Sequence, residues 1–208
     1  MKQGKFITLE GGEGAGKSTM MVRLANWLQQ TGRRTVSTRE PGGTVLAEKL
    51  RDILLDQNNL ALSGQAELLL MFAARAQHLQ ELIRPALARG DWVLCDRFTD
   101  ATWAYQGGGR SLPAEDIGVL ETLVHGDLQP DLTLLLDLPV EQGMMRASAR
   151  SAADRFEQES REFFERVRQA YLRRAEKAPG RFAVIDASQD ADGVWSQIKQ
   201  VMTERLSR

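Results

Sequence analysis

Apolar positions along this chain fall into two kinds of run: short unbroken ones, and longer ones with helical spacing. Phe6-Ile7-Thr8-Leu9 is apolar and β-branched, of strand type. From Lys17 to Gln30, Met20, Met21, Leu24, Trp27 and Leu28 recur at helical spacing, and Thr31-Gly32 closes the segment. Arg34 to Thr38 predicts a second strand, stopped by the Pro and Gly of Arg39-Glu40-Pro41-Gly42-Gly43-Thr44. Thr44 caps a helix through Leu46, Leu50, Ile53 and Leu54, and a polar connection follows from Asp56 to Gly64. Leu68, Leu69, Phe72, Ala76, Leu79 and Ile83 mark one face of a long helix, from about Gln65 to Ala88, whose last turn Pro85 should kink or weaken.

The alternation continues. Asp91 to Cys95 predicts a third strand, and Thr99 to Tyr105 a helix that ends before Gln106-Gly107-Gly108-Gly109-Arg110. Pro113 opens a helix carrying Ile117, Leu120 and Val124, and Leu132 to Leu138 is an apolar strand of the buried parallel kind. Pro139 starts another helix, followed by a polar, arginine-bearing segment from Ser148 to Ser160. A charge-laced helix from Arg161 to Lys177, a strand from Arg181 to Ile185 and a helix from Val194 to Leu206 complete the chain. Strands alternating with helices imply βαβ units and a parallel sheet, hence an α/β fold. Ligands of such sheets bind beyond the carboxyl ends of the strands, so the loops after Leu9, Thr38, Cys95, Leu138 and Ile185 are the ones to inspect. Without internal repeat or linker, residues 1–208 read as one domain.

Composition narrows the chemistry. The net charge is −1, with 27 Lys and Arg against 28 Asp and Glu, so no basic field argues for nucleic acid. An anionic substrate has to be met by local arginines. Cys95 is the single cysteine; it excludes an intrachain disulfide and sits in the apolar run Trp92-Val93-Leu94-Cys95, as a buried thiol would. His78 and His125 are too few for a histidine metal cluster. The N-terminus leads into a strand with no leader peptide, and no apolar run is long enough to cross a bilayer. These features read as a cytoplasmic protein with no membrane or nucleic-acid partner.

The loop after the first strand holds the strongest motif. Gly11 to Ser18 matches G-x-x-x-x-G-K-[ST], the phosphate-binding P-loop, in its required order of strand, glycine loop and helix. Gly11, Gly14 and Gly16 let successive N–H groups turn inward toward phosphate, aided by the positive end of the helix that follows. Gly11, Gly12, Glu13, Gly14, Ala15, Gly16, Lys17, Ser18 and Thr19 are therefore expected to bind a nucleoside triphosphate, ATP on the resemblance given below, with Lys17 reaching the outer phosphates and Ser18 ligating Mg²⁺. The other strand ends carry unusual residues too. Asp96-Arg97 follows the third strand, as a Mg²⁺-site carboxylate beside a phosphate clamp or as a structural ion pair. Arg146 and Arg150 stand four apart, followed by Arg155, on a flap that supplies transition-state charge or on a solvated basic loop. Phe72, by pattern alone, is a core residue.

Thr38-Arg39-Glu40-Pro41-Gly42-Gly43-Thr44, Asp96-Arg97-Phe98, Tyr105-Gln106-Gly107-Gly108-Gly109-Arg110 and Asp154-Arg155-Phe156-Glu157, arranged around one P-loop, resemble the bacterial thymidylate kinases over nearly the whole chain. The resemblance implies a P-loop kinase fold, a five-stranded parallel sheet flanked by helices on both faces, with a short arginine-bearing lid at about 146–160. It implies transfer of the γ-phosphoryl of ATP to dTMP with Mg²⁺, in a homodimer. On that resemblance Phe72 stacks on thymine, Arg75 bonds the base edge, and Thr102 and Gln106 line the base and sugar pocket. Arg51 and Arg97 hold the acceptor phosphate, Glu13 lies near the 3′-hydroxyl, Tyr105 walls off a 2′-hydroxyl, and Glu40 joins the dTMP site. Ser18 and Asp96 serve the metal, and Arg146 joins the ATP site. The catalytic residues are Lys17, Arg97 and Arg150, with Arg146 and Arg155 as alternatives to Arg150. Some family members carry a P-loop arginine where this chain has Gly14, so the charge must come from the lid.

Two rivals are weaker. A GTP-driven switch needs Asn-Lys-x-Asp, and no asparagine here is followed by lysine. A kinase of the same fold acting on a nucleoside, or on another monophosphate, would need Glu40 or Asp96 as base if its acceptor were a hydroxyl.

Overall fold

The computed structural model describes residues 4–58, 62–148 and 155–206. Strand β1 (Phe6–Glu10) leads through the glycine loop into α1 (Lys17–Gln30), and β2 (Thr35–Arg39) into α2 (Val45–Leu55). Helix α3 (Gly64–His78) continues through a π-helical stretch (Leu79–Ile83) into α4 (Arg84–Ala88). After β3 (Trp92–Asp96) come α5 (Thr99–Thr102), a second π-helical stretch (Trp103–Gly109) and α6 (Ala114–His125). The chain then forms β4 (Leu132–Asp137), α7 (Val140–Ser148), α8 (Arg161–Lys177), β5 (Phe182–Asp186) and α9 (Ala191–Leu206). The five strands pair in parallel in the order β2-β3-β1-β4-β5.

Side chains alternate across each strand, so apolar runs cover both faces of this sheet. Ile7, Leu9, Leu94, Leu134 and Leu136 pack with Leu24 and Leu28 of α1 and Ile198 and Met202 of α9. On the opposite face, Phe6, Val93 and Cys95 meet Leu79, Ile83 and Ala86, while Leu135 and Phe182 meet Phe163, Phe164 and Tyr171 of α8. Every residue of β1 is buried.

Three expectations change. Strands β1, β2, β3 and β5 each end one residue later than their apolar runs, on Glu10, Arg39, Asp96 and Asp186, and β4 ends one residue earlier, on Asp137. Ladder bonds come from the backbone, so pairing such as Arg39 with Asp96 and Asp137 with Asp186 continues past the last apolar side chain. Ahead of Pro85 the helix widens into π turns rather than breaking. Proline has no N–H and crowds the carbonyl four residues back, and the wide turn absorbs both. Finally, Gln106 to Gly109 is π-helical, not a loop. Its glycines admit α8: a Cβ on Gly108 would stand 2.6 Å from that of Ala170.

Glu10 ends β1 fully buried, accepting hydrogen bonds from Phe98 N–H (2.7 Å) and Tyr171 O–H (2.8 Å). Burial, and then the nearby charge of Asp100, raise its pKa to about 8, outweighing the Tyr171 bond and the charge of Arg97. The native state thus holds this proton more tightly than the unfolded chain. Its stabilisation is complete below the ordinary value of 4.5 and is lost as pH rises through about 8. The permanently neutral Glu10→Gln chain should gain on the unsubstituted one by on the order of 1 kcal/mol per pH unit between pH 6 and 8. Denaturant melts at several pH values measure this; parallel profiles would show that Glu10 does not titrate there.

Candidate active site

The P-loop joins β1 to α1 with Gly11, Gly14 and Gly16 at φ 141°, 69° and 88°. Gly16 caps α1 without a side-chain acceptor, which leaves the first N–H groups of the helix available to an anion. Ser18 and Thr19 are exposed beside them. Lys17 is buried, and its Nζ donates to the carbonyls of Gly11 (3.1 Å) and Gly12 (2.9 Å). Burial, with Arg97 nearby, lowers its pKa, against the pull of Glu13 and Asp96. A Cβ on Gly14 would run into the backbone of Gly143 in α7, and one on Gly143 would stand 2.5 Å from the carbonyl oxygen of Glu13. Helix α7 therefore seats directly on the loop and leaves no room for a side chain at Gly14.

A cleft of about 200 Å³ opens from the P-loop toward α2, α3 and the second π-helical stretch. Its wall includes Glu13, Gly14, Ala15, Gly16, Lys17, Ser18, Glu40, Arg51, Arg75, Asp96, Arg97, Thr102, Tyr105 and Gln106, which brings most of the expected site residues together. Arg97 has a left-handed φ of 69° and donates from Nη2 to Glu13 Oε1 (2.5 Å), with its guanidinium 4.7 Å from the centre of the Tyr105 ring. Tyr105 O–H donates to the same oxygen at 2.9 Å. Burial alone would raise the pKa of Glu13, but the charges of Arg97 and Lys17 outweigh it and lower it to about 2. Across the cleft, Arg75 donates from Nε to Glu40 (2.6 Å) and from Nη2 to Thr102 (3.0 Å), while its buried Nη1 has no partner among the described residues. Glu40 also meets His78 Nδ1 (3.0 Å), whose Nε2 meets Thr38 Oγ1 (2.7 Å). Burial would raise the pKa of Glu40, yet Arg75 and His78 hold it below the usual carboxylate range. Arg51 donates from Nη1 to Pro41 O (2.8 Å) at the cleft edge.

Phe72 is a correction. It does not line the cleft; it is buried beside Leu68 and Ile117, stacked on the His125 ring with centroids 6.4 Å apart. Met71 lines the cleft instead. Residues four apart share a helix face, so Met71 lies over Arg75, whereas Phe72 is turned about 100° toward α6. That i, i+4 spacing to Arg75 was the available signal. Glu40 is a second refinement: its carboxylate is taken up by Arg75 and His78, so it acts on the cleft through Arg75. The hydrophobic pattern also did not mark Phe156 as a cleft wall residue, or Tyr171 as the partner of Glu10.

The arginines beyond β4 separate. Arg146 donates to the carbonyls of Ala187 (2.9 Å) and Ser188 (3.3 Å), on the loop after β5. Arg155 is buried against Glu67 (2.7 Å) and Leu54 O (2.8 Å) and does not line the cleft. Arg150 lies outside the described residues. Asp96 Oδ1 is buried without a partner among the described residues, and Asp96 and Ser18 border a common recess. An orphaned carboxylate oxygen beside a hydroxyl suits a hard, oxygen-seeking cation such as Mg²⁺.

Residues 9–198 match the family model described as thymidylate kinase. A curated thymidylate kinase of Pseudomonas putida (strain F1) is 60% identical over 99% of this chain and 98% of its own length. That of Alcanivorax borkumensis is 57% identical over 97% of each chain. The crystal structure of thymidylate kinase from Ehrlichia chaffeensis superposes with a TM-score of 0.79 at 34% identity, covering 97% of this chain and 99% of that one. With a P-loop facing an arginine-lined cleft across one parallel sheet, the chain belongs to the thymidylate kinase family.

Proposed function

We propose that the chain transfers the γ-phosphoryl of ATP to dTMP, giving dTDP and ADP for dTTP biosynthesis, as one cytoplasmic domain with its lid at about 146–160. The observation that carries this reading is the juxtaposition of a P-loop with a cleft whose far wall includes Arg75, held in place by Glu40 and Thr102. A guanidinium N–H there suits the 4-carbonyl of thymine, and Gln106 beside it supplies a further polar group to the base edge. Met71 lies against the base in the place expected of Phe72. Arg51 and Arg97 take the acceptor phosphate, Glu13 accepts from the sugar 3′-hydroxyl, and the Tyr105 ring crowds a 2′-hydroxyl.

The second pKa of a phosphate monoester is about 6, so the acceptor is mostly dianionic near neutral pH and needs no general base. Glu40, bonded by Arg75 and His78 and held by them below the usual carboxylate range, would be a poor base for a hydroxyl acceptor, which favours the monophosphate over the nucleoside. The chemical task is to hold two anions in line. Lys17 and the first N–H groups of α1 hold the donor phosphates, Arg97 the acceptor, and Arg146 the adenosine end near Ala187 and Ser188. Ser18 and Asp96 would hold Mg²⁺, which when bound neutralises charge on the donor phosphates. Arg150 supplies the charge missing at Gly14; Arg146 and Arg155 are held elsewhere. A homodimer, implied by the resemblance, is supported by the exposed Leu69 of α3 and Val119 and Leu123 of α6.

ADP release measured with ATP and Mg²⁺ across dTMP, dUMP, dCMP, GMP and thymidine tests the substrate. It should favour dTMP, with dUMP behind by roughly 10- to 200-fold because a methyl group in an apolar pocket contributes only about 1–3 kcal/mol. A preference for thymidine would overturn the reading. In the same assay Arg150→Ala should lower kcat roughly a hundredfold with little change in KM for dTMP; an unchanged kcat would remove Arg150 from the mechanism. Met71→Ala should raise the KM for dTMP, whereas Phe72→Leu should lower Tm and leave that KM in place; the reverse pattern would restore Phe72 to the base site. Sedimentation equilibrium should give twice the chain mass, and a monomer that keeps full activity would rule out a required dimer.

A further inference from the structure

Outside the substrate walls, the most densely bonded buried group near the cleft is the carboxylate of Glu67, in the first turn of α3. It is fully buried. Its Oε1 accepts from Gln106 Nε2 (2.7 Å) and Arg110 Nε (3.3 Å), and its Oε2 from Arg155 Nη2 (2.7 Å) and Arg110 Nη2 (3.2 Å). Arg155 also donates from Nε to Leu54 O (2.8 Å) and from its backbone N–H to Leu55 O (3.4 Å), at the end of the helix that carries Arg51. Arg110 pairs in turn with Glu159 at 2.5 Å. Two arginines and two glutamates thus form a linked quartet, in the order Arg155–Glu67–Arg110–Glu159. It ties α2, α3 and the second π-helical stretch to the segment just before α8.

That segment matters because Phe156 follows Arg155 and lines the cleft. The Arg155 guanidinium stacks 4.5 Å from the Phe156 ring centre, that of Arg110 lies 5.7 Å away, and the ring stands edge-on to Tyr105 at 5.9 Å. The same carboxylate therefore sets two walls of the acceptor cleft. It draws the Gln106 amide nitrogen away from the cleft, so that the amide oxygen is the atom left without a partner among the described residues, and it holds the arginine that backs Phe156. Neither Glu67 nor Arg155 itself lines the cleft.

We infer that Glu67 is a positioning residue for the acceptor nucleotide: it orients Gln106 toward the base and fastens the returning limb of the lid, through Arg155 and Phe156, to the acceptor half of the molecule. The inference rests on the reading of the cleft as the dTMP site. Its signature is one-sided. Loss of Glu67 should weaken the grip on the acceptor and leave the donor site on the P-loop as it was, because no bond in the quartet reaches residues 11–18. A purely structural carboxylate would, when lost, affect both substrates alike.

Initial rates of Glu67→Gln, Arg155→Gln and the double variant, with dTMP and ATP varied separately and folding checked by circular dichroism, test the proposal. Each single variant should raise the KM for dTMP roughly tenfold and leave the KM for ATP within about twofold. Because the two residues act as one unit, the double variant should be no worse than the poorer single one. Equal effects on both substrates, an unchanged KM for dTMP, or multiplying effects in the double variant would each overturn it. If Glu67→Gln does not fold, Arg155→Gln alone still decides, by the presence or absence of the split. The unsubstituted chain separates the two ideas. Without dTMP turnover there, the substrate reading fails; with turnover but no split in the variants, the positioning role fails.

Discussion

A parallel sheet delivers all its strand ends to one edge, and here every strand ends on a charged residue: Glu10, Arg39, Asp96, Asp137 and Asp186. Charge at the rim of an apolar core is costly unless it is paired, hydrogen-bonded or neutralised, and the way each residue meets that demand organises the functional face. Asp137 takes a bidentate bond from Arg168 (2.7 and 2.8 Å). Arg39 pairs with Glu48, and Asp186 turns back on Ser188 and Gln189. Glu10 holds its proton more tightly than usual, its pKa raised to about 8. Asp96 alone among the five keeps a buried oxygen without a partner among the described residues, and it stands beside the P-loop. That incomplete strand end borders the same cleft as Lys17 and Ser18.

The same economy governs the arginines. A chain of net charge −1 meets two anionic substrates with a few cations, some aimed by backbone carbonyls, as Lys17 and Arg51 are, and others by carboxylates. Glu13 directs Arg97, Glu40 directs Arg75 with His78 and Thr38 behind it, and Glu67 gathers Arg110 and Arg155. An arginine bonded along part of its fork keeps its remaining donors in a fixed direction, so part of the ordering cost is met before substrate arrives. The carboxylates also keep the cleft from being an unbalanced positive pocket when empty.

The alternation of strands and helices and the P-loop were legible in the amino-acid order, and each strand end to within one residue. Strand and helix periodicities follow from backbone geometry within a few residues, and a phosphate cradle is built from contiguous glycines and one helix terminus. The sequence also carried the family, because several short motifs occur in one order around that loop. Tertiary structure decided what depends on direction rather than on order. Helical spacing placed both Met71 and Phe72 on α3, but the packing of α6 through Ile117 and His125 decided that Phe72 is core and Met71 is wall. The glycines after Gln106 read as a loop because glycine favours loops, yet the contact with α8 made them a π-helical stretch. Arg146 and Arg155 look alike in sequence; one reaches the loop after β5 and the other a carboxylate 88 residues away on α3, and partners so distant along the chain leave no local pattern to read.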